Sequence, residues 1–174
     1  MALLDEIEAA IPALRAYAHA LLRQREGADD LVQDTLERAL AQQRQWRGEG
    51  SVRGWLFRIL LNRLRDSHRR ARHAPVLTLV PDLLPDTGGA ADAAGDRLAL
   101  HEVHAAMGRL PEEQRAALLL VALEGMSLAE AARSLGLPEG TLASRLARAR
   151  ASLREMTGRD GALRARTHGK DNPP

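Results

Sequence analysis

The feature that most constrains the fold of this chain is a pair of short helical segments separated by glycine and proline, SLAEAARSLGLPEGTLASRLARAR at residues 127–150. Ser127 can cap the first segment, and Glu130 three residues later completes a capping box. Gly136 suits a left-handed helix stop, and Pro138 cannot continue the hydrogen-bond ladder of the preceding helix. Leu128, Ala131, Ala132 and Leu135 give the first segment one apolar face, and the second segment keeps Leu142, Leu146 and Leu153 inward. Two helices around a tight glycine-containing turn are typical of a helix-turn-helix. The second helix is therefore the candidate DNA-reading element.

Composition favours an all-α fold. Hydrophobic residues make up 45% of the 174 residues but aromatic residues only 2%, so a core has to be built from leucine, alanine and valine. Alanine, leucine, arginine and glutamate dominate, and all four are good helix formers. We predict an all-α protein of two small helical domains, a three-helix bundle and a helix-turn-helix domain, joined by a flexible linker.

The first half of the chain contains three helical stretches. Apolar residues at helical spacing predict helices over residues 3–24, 28–45 and 51–72. The apolar stripe of the second comprises Leu31, Val32, Thr35, Leu36, Ala39 and Leu40. Pro12 either begins the main part of the first helix or kinks a longer one. Ser51 is the expected N-cap of the third helix. The three apolar stripes can close a small bundle.

A change in composition sets the domain boundaries. The first predicted domain covers residues 1–73 and the second covers residues 96–156. Between them, residues 74–95 contain three prolines, three glycines and no arginine, which indicates a linker. Residues 157–174 lack a sustained apolar stripe, and we expect them to be disordered. In the second domain, two helices are predicted ahead of the helix-turn-helix, over residues 96–109 and 111–124.

Charge is unevenly distributed although the net charge is only +2. Residues 1–40 hold eight acidic residues and four arginines, whereas residues 53–72 hold seven arginines and a single acid, Asp66. The basic stretch produces a strong local field for phosphates. A solvated helix face is the alternative interpretation of both stretches. The acids of the second predicted helix are Asp29, Asp30, Asp34 and Glu37.

Several classes of function are disfavoured. The chain has no cysteine, which excludes a disulfide framework and a cysteine zinc site. The acidic N-terminus does not resemble a signal peptide, and the longest apolar run, Ala116–Leu123, is too short to cross a bilayer, so we expect a cytoplasmic protein. His101 and His104 lack further zinc ligands. No nucleophile elbow, phosphate loop or paired-carboxylate motif is present, and we expect no enzymatic activity, cofactor or metal.

Three ordered segments resemble regions 2 and 4 of an extracytoplasmic-function (group 4) RNA polymerase sigma factor of the sigma-70 family. They are GADDLVQDTLERAL, SVRGWLFRILLNRLRDSHRR and LPEEQRAALLLVALEGMSLAEAARSLGLPEGTLASRLARARASLR. The resemblance runs from about residue 8 to residue 156 outside the linker, and it makes the first domain sigma region 2 and the second sigma region 4.

The resemblance implies an alternative initiation factor that binds core RNA polymerase and directs promoter-specific transcription. In such factors, region 2 docks on the clamp helices of the β′ subunit and reads the −10 element as a melted strand. Region 4 reads the −35 element as duplex and rests on the flap of the β subunit. An anti-sigma factor is the implied regulator.

The resemblance also assigns residues to three surfaces. The polymerase-docking helix carries Asp30, Leu31, Gln33, Asp34 and Glu37. The −10 and melting segment carries Arg53, Trp55, Arg58, Asn62, Arg63, Asp66, Arg69 and Arg70. The −35 recognition helix carries Glu139, Gly140, Thr141, Ala143, Ser144, Arg145, Ala147 and Arg148.

The recognition helix departs from the family pattern. Ala143 and Ala147 stand where members often carry larger base-contacting side chains. Specificity is therefore expected to depend on DNA shape and on contacts from Ser144 and Arg148.

Two residues of the −10 segment have alternative interpretations. We interpret Trp55 as a core residue rather than as a base platform. Asn62 either forms hydrogen bonds within its domain or binds a flipped-out base, and the sequence leaves both open. Because aromatic residues are few, one or two captured bases are expected rather than broad stacking.

Two other classes of protein share parts of this pattern. A sigma-like decoy would capture an anti-sigma factor without supporting transcription, but it has no need of the arginines over residues 53–72. A helix-turn-helix repressor with an unrelated dimerisation domain would bind duplex DNA tightly by itself. Transcription with purified core polymerase distinguishes the sigma factor from both.

Overall fold

The structure, a computed structural model, describes residues 2–71 and 94–158, and side chains over 2–70 and 100–158. These residues form seven α-helices and one short 3-10 helix, with no strand among them, so the all-α prediction is confirmed. The helices are α1 (Leu3–Leu22), α2 (Arg25–Gln42), α3 (Val52–Ala71), α4 (Ala94–Arg109), α5 (Glu112–Ala122), α6 (Leu128–Leu135) and α7 (Glu139–Thr157), with the 3-10 turn Gln43–Gln45 after α2.

The predicted linker and tail fall largely outside the described residues. Of residues 74–95, only the last two are described, and they begin α4 rather than ending the linker. Of residues 157–174, the first completes α7 and Gly158 caps it, while the others lie outside the described part.

Local capping determines where several helices begin and end. The Ser51 hydroxyl accepts a hydrogen bond from the Gly54 amide at 3.0 Å, as expected of the N-cap of α3. Pro12 lies inside α1 rather than at its beginning. Gly136 ends α6 with a φ of 65°, a left-handed conformation that glycine adopts without the steric cost of a side chain.

Helices α1, α2 and α3 form the bundle of region 2. The side chains of Tyr17 and Phe57 are fully buried in it and meet edge to face, with ring centroids 5.0 Å apart. Thr35 is buried as well, and its hydroxyl donates to the Leu31 carbonyl at 2.7 Å. Leu40 belongs to the predicted apolar stripe of α2, but 45% of it is exposed, so this part of the stripe prediction is wrong.

Region 4 is built from α4 to α7. Leu142 and Leu146 of α7 are buried, as predicted, and pack with Leu120 of α5 and Ala131 of α6 in a core of leucine and alanine. Leu128 was expected on the apolar face of α6 but is exposed at the start of that helix.

The two domains pack directly on each other. Helix α3 lies against α6, and α1 lies against α5. The buried residues of both domains therefore form one continuous hydrophobic cluster. We call this packing the closed arrangement.

Candidate polymerase and promoter interfaces

The acidic face of α2 is presented to solvent. Asp30, Gln33, Asp34 and Glu37 are exposed, and the Gln33 amide donates to the Glu37 carboxylate at 3.0 Å. Leu31 is only 8% exposed and belongs to the core, so its side chain supports the helix from inside. Four of the five residues assigned to polymerase docking thus share an accessible surface.

Asp29 does not belong to that surface. Its carboxylate faces α1, where it lies 3.2 Å from Nε2 of His19 and 3.9 Å from Nε of Arg15. Its role is to join α1 and α2. Asp29 therefore pairs with α1, although 44% of its side chain remains exposed, while the other three acids lie on the outer face of α2.

An ion pair connects the acidic face of α2 to the basic face of α3. Asp34 accepts a hydrogen bond from Arg63 at 2.6 Å. The pair borders an open groove of about 370 Å³ between the two helices, which Asp30, His68 and Arg70 also line. The surfaces assigned to polymerase docking and to melting are therefore neighbours, and this ion pair joins them.

The −10 face of α3 is exposed along most of its length. Arg58, Asn62, Arg69 and Arg70 are exposed, and Arg69 pairs with Asp66 at 3.0 Å. Because Asn62 is exposed, burial does not require it to form hydrogen bonds within its domain, and it is accessible to a base.

Trp55 lies at the edge of the core, as a partly buried residue packed against it. It is half-buried against Trp46, with ring centroids 5.1 Å apart. A pocket of about 250 Å³ lies beside the pair, lined by Arg47 and Arg58 from region 2 and by Arg133 from region 4. The rim of this pocket therefore comes from both domains.

The recognition helix α7 exposes one polar face. Glu139, Gly140, Thr141, Ala143, Ser144, Ala147 and Arg148 are all exposed. Ser144 donates to the Gly140 carbonyl at 3.1 Å, and Arg145 pairs with Glu113 at 2.9 Å. Seven of the eight assigned residues lie on an accessible surface, while the guanidinium of Arg145 is held against α5.

Ser127 and Glu130 form the predicted capping box at the start of α6. The Ser127 hydroxyl accepts from the Glu130 amide at 3.3 Å, and the Glu130 carboxylate accepts from the Ser127 amide at 3.0 Å. Hydrogen bonding to the Ser127 hydroxyl and amide holds the pKa of Glu130 below its usual value. The box fixes the helix that supports α7.

Polar contacts across the domain boundary involve residues that the sequence did not single out. Tyr17 donates to the Ala116 carbonyl at 3.1 Å, and Ser134 donates to the Gly54 carbonyl at 3.3 Å. Burial, reinforced by the charges of Glu124 and Glu112, raises the pKa of Tyr17 far above its usual value, so its hydroxyl stays a donor.

Charged contacts cross the same boundary. Arg53 of α3 forms an ion pair with Glu124, and Arg65 donates to the Leu135 carbonyl. His68 lies 3.3 Å from Glu112. The only sequence signal for these contacts is an acid, Glu124, at the end of an apolar run, and such a residue has no preferred partner until the domains are placed.

Neither a metal centre nor a membrane span is found in the described part of the chain. No group of three or more potential metal ligands is present there, and no helix there is both long and apolar enough to cross a membrane.

Comparison with known proteins follows the same division into two domains. Residues 7–61 match the family model described as the Sigma2 domain of PhyR, and residues 100–153 match Sigma-70, region 4. The chain is 38% identical over 158 residues to the ECF RNA polymerase sigma factor EcfG of Rhodopseudomonas palustris, covering 91% of this chain and 86% of the relative. This chain belongs to the ECF RNA polymerase sigma factors.

A second relative of this sigma factor is the ECF RNA polymerase sigma factor SigM of Mycobacterium tuberculosis. It is 39% identical over 145 residues, covering 83% of this chain and 71% of the relative. Among solved structures, the sigma factor RpoE of Bartonella quintana, in complex with the anti-sigma factor NepR, is 33% identical with a TM-score of 0.73. That match covers 90% of this sigma factor and 97% of RpoE, so the two share a similar placement of regions 2 and 4.

Proposed function

We propose that this sigma factor docks on core RNA polymerase through α2 and opens promoter DNA on α3. The observation that carries the proposal is the adjacency of an exposed acidic face and an exposed arginine face on neighbouring helices. Asp30, Gln33, Asp34 and Glu37 face a basic partner, the clamp helices of β′, while the arginines of α3 attract phosphates. Region 2 covers residues 1–73 in this proposal, and region 4 covers residues 96–156.

On α3, each exposed residue has a chemical task. Arg58, Arg69 and Arg70 neutralise backbone phosphates of the melted −10 strand. Asn62 carries a donor and an acceptor, so it suits hydrogen bonding to an unstacked base. Trp55 packs on Trp46 and keeps α3 in register rather than stacking on DNA.

On α7, the exposed N-terminal half enters the major groove of the −35 element. Thr141, Ser144 and Arg148 are its polar side chains with access to DNA. Phosphate contacts outnumber base contacts at such interfaces, so Arg148 positions the helix and the small residues Ala143 and Ala147 allow a close approach. Sequence preference then depends on DNA shape as well as on base edges.

We further propose that an anti-sigma factor controls this chain by holding the closed arrangement. The match to RpoE, whose structure contains NepR, supports this proposal because it extends over both domains. Such a regulator would act in the cytoplasm, where the polymerase is.

The deciding experiment is run-off transcription with purified core polymerase and candidate promoters. We expect promoter-specific transcripts that depend on the sigma factor. Replacing Arg69 and Arg70 together by Ala is expected to weaken promoter opening while core binding is retained. The absence of any transcript, together with tight binding to an anti-sigma factor, would instead favour a decoy.

The decoy remains the second candidate because residues 7–61 match a domain of PhyR. The curated relatives that cover most of the chain are sigma factors, which favours transcription. A repressor is disfavoured by the same matches, since one of its domains would have to be unrelated to region 2.

A further inference from the structure

The arginines of α3 divide into two sets in the closed arrangement. All five of Arg53, Arg58, Arg65, Arg69 and Arg70 are exposed, but Arg53 and Arg65 also bind groups of region 4. The set that region 4 binds lies on the same helix as the proposed DNA contacts. Closure therefore changes how much positive charge α3 offers to DNA.

Glu124 is the unusual member of this interface. Its side chain is 3% exposed, and a buried carboxylate is costly unless a partner compensates for the loss of water. Arg53 supplies that compensation and is itself 45% exposed. The ion pair therefore stabilises Glu124 mainly while the domains remain together.

The backbone around Glu124 holds its side chain in place. The Glu124 amide donates to the Leu119 carbonyl at 3.1 Å, and the Met126 amide donates to the Leu120 carbonyl at 3.1 Å. Gly125 between them has a φ of 64°, which ends α5 in a left-handed turn. The carboxylate is thus presented to α3 from a fixed loop.

Region 4 offers α3 the same chemistry as a DNA backbone. An oxyanion, the Glu124 carboxylate, binds Arg53, and the carbonyl of Leu135 at the C-terminal end of α6 binds Arg65. That helix end carries partial negative charge from the macrodipole. A phosphate and region 4 therefore compete for the same guanidinium groups.

We propose that Glu124 is a built-in latch, which holds region 4 against α3 and occupies Arg53 in place of a promoter phosphate. The free sigma factor is then closed without any partner, and polymerase favours the open state because it binds α2 and region 4 apart. The masking of a DNA contact rests on the proposed function of Arg53, whereas the closure itself does not.

The latch is tested by measuring domain separation and strand binding in the same protein. Because the chain has no cysteine, the changes Ala41→Cys on α2 and Ala151→Cys on α7, both at exposed positions, allow a donor and an acceptor dye to be attached for energy transfer. Binding is measured by titrating a single-stranded oligonucleotide of mixed sequence. The variant is Glu124→Gln, which keeps the shape of the side chain and removes its charge.

We expect Glu124→Gln to lower the transfer efficiency and to raise strand affinity about tenfold, since the competing charge is lost. The matched control is Glu8→Gln, which likewise removes one carboxylate charge, from an exposed position on α1, and is expected to change neither quantity. Transfer efficiency equal to that of the parent protein would overturn the latch. Lower efficiency with unchanged strand affinity would support the latch and refute the DNA role of Arg53.

Exchanging the two charges distinguishes loss of the ion pair from misfolding as the cause of any change in Glu124→Gln. In the double variant Arg53→Glu with Glu124→Arg, the ion pair is restored with reversed polarity, and we expect efficiency to return toward the parent value while strand affinity stays low. Helicity by circular dichroism shows whether each variant folds. If Glu124→Gln loses helicity and the exchange does not restore closure, the carboxylate is only a structural residue and the latch is wrong.

Discussion

Arg53 of α3 and Glu124 of the α5–α6 loop form an ion pair across the domain boundary, and its two ends differ in exposure: 45% for the arginine side chain and 3% for the glutamate. The arginine belongs to the segment assigned to promoter opening, and the glutamate belongs to the −35 domain. In the proposed function, closure and promoter opening therefore both depend on the side chain of Arg53.

At the interface, Tyr17→Phe removes the hydrogen bond to the Ala116 carbonyl but keeps the ring against Phe57. We expect the free energy of unfolding to fall by about 1 kcal/mol, the net worth of such a bond. Tyr17→Ala also leaves a cavity and is expected to cost about 3–5 kcal/mol. Urea denaturation followed by circular dichroism measures both. Equal stability of Tyr17→Phe and the parent protein would show that the hydroxyl contributes nothing.

In the helix-turn-helix, Ser127→Ala removes the N-cap hydroxyl of α6 and is expected to cost about 1 kcal/mol. The pKa of Glu130 is lower in the folded state than in the unfolded state because it accepts bonds from Ser127. A depressed carboxyl pKa stabilises the fold above the unfolded-state value, and this contribution disappears as the pH falls through the folded-state value.

The measurement is the melting temperature as a function of pH for both proteins. We expect the difference between them to be largest near neutral pH and to shrink under acid. The other serine of α6, Ser134, is buried near the opposite end of the helix and takes no part in the capping box, so the pH dependence concerns Ser127 alone. A pH-independent difference would contradict the proposed coupling between Ser127 and Glu130.

For polymerase docking, Asp34→Ala is expected to weaken binding to core polymerase by about tenfold, as is typical of losing a charged interface contact. Since Asp34 also pairs with Arg63, the change could instead act by disturbing α3. Arg63→Gln separates the two explanations because it breaks the same pair and leaves the carboxylate. We expect core affinity, measured by fluorescence anisotropy, to be retained in Arg63→Gln; an equal loss in both variants would assign the effect to the pair.

For −35 binding, Arg148→Ala is expected to weaken binding to promoter duplex. It is also expected to reduce the slope of log affinity against log salt concentration by about one, which corresponds to the loss of one phosphate contact. Arg154→Ala is the matched control, because Arg154 is an exposed arginine on the same helix outside the assigned surface. Titrations of each variant at several salt concentrations give the slope of log affinity against log salt concentration. If the two variants behaved alike, the assignment of Arg148 to the interface would fail.

Local features of the fold were predictable because their determinants lie within a few residues of one another. The Ser51 cap, the Ser127–Glu130 box and the left-handed Gly136 all depend on bonds or conformations inside one helical turn. Leu40 shows the limit of predicting burial from apolar spacing, because it belongs to the apolar stripe of α2 and is nevertheless exposed. Periodicity identifies the apolar face of a helix but not how far a neighbouring helix extends to cover it.

The accessible surfaces were largely predictable as well. The polar positions assigned on α2 and α7 are exposed, because the residues between them, such as Leu31, Leu142 and Leu146, are the ones that pack inward. Arg145 is the exception on α7, because Glu113 of α5 holds it. On α3, Arg53 and Arg63 are likewise paired with acids of other elements.

By itself, the sequence predicted seven helices, several of their caps and a division into two helical domains, since these depend on hydrogen bonds and apolar spacing over short stretches of chain. Only the tertiary structure decided that the domains close on each other, that Tyr17 bonds across the boundary and that Glu124 is buried against Arg53. The physical reason is that those contacts join residues 99 and 71 positions apart. At such separations, shape and charge complementarity between whole domains, rather than local preference, selects the partners.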